Sequence, residues 1–260
     1  MKWIFIIFLF FSFLNANCQI APLSNLSKQG TYKNPNLVFG SMSDIEGNIY
    51  KTIAIGNQVW MAENLKTTKY NDGASIRYET DDNVWPSLNE GAYCYYDNNI
   101  NNKAKFGVLY NWMAVNTNKL APTGWHIPSN AEWLQLENYL ISNGFNFDKT
   151  LTGNKIAKAI ATKYDWGESW NSFDIGQIAN QFYQNNSTGF SALPAGKRSA
   201  NPGYPASFID KGVEGYWWTS DFVNYATGAA KYKFTRSIYT ALITDYFLIQ
   251  FGYSIRCVKD

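Results

Sequence analysis

Few side chains in this 260-residue sequence are placed to do covalent, acid–base or metal chemistry: three cysteines, one histidine and scattered carboxylates. His126 is alone, so neither a three-histidine metal site nor a paired-histidine zinc site can be built. A histidine-dependent nucleophile would have to use His126 itself. It lies between Trp125 and Ile127-Pro128, just before a helix start, and that setting predicts a structural hydrogen-bonding role. Cys94 and Cys257 are formal candidates for a thiol-dependent oxidase, which would need the two sulfurs close together. They could equally form a disulfide or rest as inert buried thiols. The disulfide would close a loop of about 160 residues, worth up to about 5 kcal/mol in the chain-entropy picture.

Oxygen ligands suited to calcium cluster at Asp44-Glu46-Asn48, Asp81-Asp82-Asn83 and Asp97-Asn98-Asn99, and Glu214 and Asp221 flank a tryptophan pair. None follows the Asp/Asn ladder ending in Glu of an EF-hand, so the clusters read as solvated turns and no cofactor is expected. Ten tryptophans offer a second kind of site. Trp60, Trp112, Trp125 and Trp133 sit in apolar surroundings and read as core. Trp85, Trp166, Trp170, Trp217 and Trp218 lie in polar or glycine-rich context, where an exposed ring could stack on a sugar or anchor a protein partner. The candidate ligand residues are therefore Trp166, Trp170, Trp217, Trp218, Glu214 and Asp221.

These residues must be held by regular elements. Ser129 with Glu132 three positions later has capping-box spacing, and Trp133, Leu136 and Leu140 fall on one helical face, predicting a helix from Asn130 to Ser142 that stops at Asn143-Gly144. A second helix is expected over Lys155 to Lys163. Ile49 to Ile55, a Gly56-Asn57-Gln58 turn and Val59-Trp60-Met61 give a hairpin. Beyond Trp166 the chain breaks into short apolar pieces between Gly, Pro, Asn and Ser, and the tail has strand composition around 241–244, 246–250 and 253–258. Together these predict an α+β domain with two helices on short, irregular, mainly antiparallel sheets.

Residues 1–19 carry Lys2, an apolar run from Trp3 to Leu14 and a small, polar end, the layout of a secretory signal peptide. Cleavage after Cys18 would release a secreted protein; acylation of Cys18 would instead leave a lipid-anchored one, although Asn17 before it fits that route poorly. Residues 20–38 read as a flexible leader, with the folded domain over 39–260. No later stretch is long and apolar enough to cross a bilayer. Loss of Lys2 lowers the formal net charge from +2 to +1, without the positive field that nucleic-acid binding draws on. The charged fraction is 16% against 17% aromatic, and asparagine is plentiful, a surface suited to polar, uncharged ligands. P-loop, dinucleotide and nucleophile-elbow motifs are absent.

In order, Asp44 to Thr52, Ile55 to Leu65, Gly91 to Tyr96, Gly107 to Trp112, Ala121 to Trp133, Gly189 to Gly196, Gly215 to Ser220 and Gly252 to Asp260 resemble the Fibrobacter succinogenes major paralogous domain found in exported bacterial proteins. The resemblance implies a secreted or outer-surface domain and supplies no catalytic residues. The Gly-aromatic signatures and the terminal Arg-Cys-Val are also similar to C-type-lectin-like folds, including the formylglycine-generating branch. Relatives often have cysteine where this chain has Ala121, a partner for the cysteine near the C-terminus, which leaves Cys94 as the other candidate for Cys257. With the loops near Trp217 and Trp218, the leading expectation is a non-catalytic binding or adhesion module for glycan or protein; the alternatives are an oxidoreductase of the formylglycine-generating type working through Cys94 and Cys257, or a structural part of a surface assembly.

Overall fold

The computed structural model describes residues 37–260 except 168–173, 225 and 227. The signal-peptide assignment, the leader up to residue 36, Cys18 and Trp170 lie outside the described residues, which all fall within one compact unit. No helix among them is long and apolar enough to cross a membrane.

The architecture is mixed, mostly sheet, with four short helices. One sheet joins β1 (Gly40–Ser43), β2 (Ile49–Ile55), β3 (Gln58–Met61), β7 (Trp125–His126) and β13 (Val258–Lys259); a second is built from β4 (Arg77–Tyr78), β5 (Ala92–Cys94) and β6 (Leu109–Tyr110). A third pairs β8 (Ala195–Arg198) with β9 (Phe208–Lys211), and a fourth runs β10 (Glu214–Asn224), β11 (Ala229–Arg236) and β12 (Ile243–Leu248). The helices are α1 (Lys103–Phe106), α2 (Trp112–Asn116), α3 (Asn130–Ser142) and α4 (Ala157–Ile160). All strand pairs are antiparallel except β4 with β5. In the first sheet the order β1-β2-β3-β13-β7 puts the last strand of the chain between two early ones, closing the domain on itself.

The β2–β3 hairpin turns through Gly56-Asn57, since Ile55 pairs with Gln58. Gly56 has φ +62, and a Cβ there would stand 2.8 Å from the Tyr139 ring on α3, so both conformation and space demand glycine. The helix expected from Asn130 to Ser142 forms over that span. Its capping box is complete: Ser129 Oγ accepts from Glu132 N–H, and Glu132 Oε2 accepts from Ser129 N–H at 2.8 Å. The second expected helix is cut to the four residues of α4, because Ala161 turns to extended geometry at ψ 145 and joins Ala192 in a parallel bridge.

Adjacent side chains on a strand point to opposite faces, and the Trp217-Trp218 step of β10 uses this to feed two cores. Trp217 joins Trp60, Trp133 and Phe190 under α3. Trp218 joins Tyr110, Tyr216, Tyr232 and Tyr253 on the other side. A Cβ at Gly215 would lie 2.5 Å from the Trp217 ring and 2.6 Å from the Leu193 carbonyl oxygen, so the ring folds over bare backbone.

Candidate functional site

The expectation that Trp217 and Trp218 offer open rings is overturned, since both are 0% exposed. Trp217 Nε1 donates to Asn64 Oδ1 at 3.0 Å and Trp218 Nε1 to the Tyr110 carbonyl at 2.9 Å, so even their polar atoms are satisfied indoors. The Trp218 ring lies 4.3 Å from that of Tyr253. Trp166 is also buried, with Nε1 donating to Thr162 Oγ1. Trp85 is sealed, donating to the Gln250 carbonyl and covering the Arg198 guanidinium at 4.5 Å. The polar neighbours that suggested exposure are themselves consumed. Glu214 is buried, pairs with Arg236 at 2.7 Å and accepts from the Tyr216 hydroxyl. Asp221 accepts from the Asn130 N–H at 2.5 Å, which makes it a second cap on α3.

Cys94 and Cys257 are both free and buried, which corrects the disulfide reading. Burial pushes the Cys94 thiol up to about 12 against a partial pull from Arg198, and burial likewise pushes Cys257 up against Arg256. Both thiols are thus held in the protonated form, away from the thiolate that nucleophilic cysteine chemistry uses. The acidic turns are equally committed. Asp44 accepts from Glu46 N–H, Asn48 N–H, Asn48 Nδ2 and the Tyr50 hydroxyl; Asp82 pairs with Arg198 at 2.7 Å and Asp97 with Lys211 at 3.3 Å. No group of three or more His, Cys, Asp or Glu among the described residues is arranged to hold a metal.

His126 sits between two carboxylates, Nδ1 at 2.7 Å from Asp260 Oδ1 and Nε2 at 2.6 Å from Glu132 Oε1. Ionised carboxylates only accept, so this arrangement favours the doubly protonated ring, the imidazolium, which can donate to both. Burial alone would depress it, but the bonds to Asp260 and Glu132 outweigh that and raise its pKa above the ordinary value. The histidine thus pins β7 and the chain end to the first turn of α3. Three further charged groups escaped sequence reasoning. Lys233 is buried against Glu137 on α3. Arg198 is fully buried. Arg256, also fully buried, donates from Nε to Asn64 Oδ1 and from its terminal nitrogens to the carbonyls of Met61, Phe190 and Ser191 at 2.6–2.9 Å. Burial pushes Arg256 down to about 9. Asn64 Oδ1 serves both Arg256 and Trp217, tying the β3 exit to β10 and the tail.

One aromatic cluster does keep a face open. Tyr78 on β4 is 44% exposed. Its ring stacks on Tyr93 at 5.2 Å and 26°, and Tyr95 leans against it at 5.3 Å. Tyr93 and Tyr95 are buried and brace each other at 5.7 Å. Arg77, the strand neighbour that points to the opposite face, is held by Glu79 and Glu90 at 2.6 and 2.7 Å, and the Tyr78 hydroxyl donates to the Asn98 carbonyl. Asp97 and Asn98 run through left-handed backbone at φ +55 and +50, a strained pair of the kind that collects at functional sites. The signal in the sequence was the alternation Tyr93-Cys94-Tyr95, which puts two tyrosines on one face of a strand and the thiol on the other.

No curated protein and no solved structure matches the chain. The sequence profile of the Fibrobacter succinogenes major domain matches residues 53–259, a span that takes in the β2–β3 turn, the tyrosine platform, the α3 cap, both buried cysteines and the Arg256 hub. The chain belongs to the Fibrobacter succinogenes major domain family.

Proposed function

We propose that this protein is a non-catalytic binding or adhesion module, exported or held at the outer cell surface, with a C-type-lectin-like arrangement of its α+β elements, and that it engages glycans. The observation that carries the reading is the Tyr78 platform: an exposed ring, stiffened from beneath by two buried rings, with its hydroxyl set beside Asn98. An aromatic face of this kind covers the C–H face of a sugar at low entropic cost, while the neighbouring polar groups meet its hydroxyls. The low charge and the signal-peptide layout support a polar, uncharged ligand outside the cell. The committed thiols, histidine and carboxylates favour binding over turnover.

A glycan array probed with the unmodified protein and with Tyr78→Ala tests it. The reading expects at least one glycan to bind and Tyr78→Ala to weaken it about tenfold or more, the size of a binding hot spot. If no glycan binds the unmodified protein, the reading fails.

A further inference from the structure

A cleft of about 200 Å³ opens where the turn after β1 faces the segment from Leu120 to Thr123. That volume is the share of roughly seven water molecules, too small for a peptide or an oligosaccharide and enough for one sugar ring. Ile45, Leu120, Ala121 and Pro122 give it apolar surface, and Ser43, Thr67, Asn71 and Thr123 bring hydroxyl and amide groups. Asn71 Nδ2 is spent on the Ala121 carbonyl at 3.1 Å, which leaves its Oδ1 without a partner among the described residues.

Charge decides the ligand class. Asp44 lines the cleft, but its four bonds to the turn fill its acceptor sites, so it contributes a negative field and no free bond. Lys69 also lines the cleft, and its exposed ammonium makes no ion pair among the described residues. The cleft carries one charge of each sign, and its mixed lining of apolar side chains with hydroxyl and amide groups suits a neutral hexose, which has both C–H and hydroxyl surface. We infer that this cleft is a second ligand site that takes a single neutral sugar residue, with Lys69, Asn71 and Thr123 meeting its hydroxyls.

The sugar class rests on the glycan reading above; the site does not share its residues. Thr67 and Lys69 line the cleft while Thr68 between them is not among its lining residues and hydrogen-bonds Glu46.

Ligand-observed NMR with glucose, galactose and mannose, and glucuronate as the charged comparison, tests the site. A neutral hexose is expected to bind with a Kd of about a millimolar, the ordinary strength for a ligand this small. Ala121→Leu should abolish that binding and Lys69→Met should weaken it about threefold, with Tyr78→Ala leaving it unchanged. Thr123→Phe blocks the exposed mouth and gives the same test should Ala121→Leu fail to fold. Failure of all three hexoses to bind, survival of binding in Thr123→Phe, or glucuronate binding ten times tighter would overturn the inference. Loss of hexose binding in Tyr78→Ala would overturn the separate site and leave the platform standing. Hexose binding with a blank array would do the reverse.

Discussion

The Trp217-Trp218 pair and the Tyr78-Tyr93-Tyr95 stack are both dense aromatic clusters on β-strands, yet one is sealed and the other keeps a ring face in solvent. The difference comes from what covers each strand. β10 has partners on both faces, α3 with the Trp60–Trp133 cluster on one and the Tyr110–Tyr253 cluster on the other, so any large residue there becomes core. β4 is two residues long and both are exposed, so the tyrosine it carries rests on the layer below with nothing above. Density of aromatic residues therefore does not mark a binding face; the count of layers over a strand does.

The largest test of this contrast is truncation of the sealed cluster. Trp218→Ala should cost about 3–5 kcal/mol, the range for emptying a large core site, seen as a clear drop in denaturation midpoint. Tyr78→Ala should stay within about 1 kcal/mol, because half of its ring is already in water. Equal losses in urea melts of the two variants would erase the distinction.

Thiol access sharpens it next. Cys94, on the strand face opposite the two platform tyrosines, and Cys257 are both fully buried, so neither should react with a thiol reagent in the native protein and both should react once it is unfolded. Fast native labelling of Cys94 would mean that the platform is an opening into the core and not a surface layer.

How far the sequence foretold these regions follows from the range of the interactions. The α3 cap was legible because Ser129 and Glu132 sit three residues apart, and the β2–β3 turn because Gly56-Asn57 is local. The Lys233–Glu137 pair joins residues 96 apart in sequence, and the Arg256 hub reaches back 195 residues to Met61; no local pattern encodes either. The tryptophan pair was misread for the same reason. Glu214 and Asp221 look like solvated neighbours until Arg236 and the α3 N-terminus, which claim them, are brought up by the fold.

Smaller effects test the lid over the sealed side. Ser129→Ala removes an N-cap from α3 and should cost about 1 kcal/mol, read by thermal melts. His126→Gln isolates the imidazolium clamp. Its folded-state pKa is raised, so the clamp contributes fully below the unfolded value of about 6.5 and is lost as pH rises through the folded value. The parent should exceed His126→Gln in stability by a few tenths of a kcal/mol near pH 6, as expected for a part-exposed pair, and the gap should close as pH rises through the raised folded value. A gap that widens toward alkaline pH would show that the ring is not held as the cation.

The direct measurement is the affinity of one array-selected glycan for three proteins: the unmodified chain, Tyr78→Ala and Trp218→Phe, the last keeping an aromatic ring inside the sealed cluster. The account predicts that Tyr78→Ala loses about tenfold or more with its melt intact, while Trp218→Phe binds as the parent does. Loss of binding in Trp218→Phe with Tyr78→Ala unaffected would contradict it.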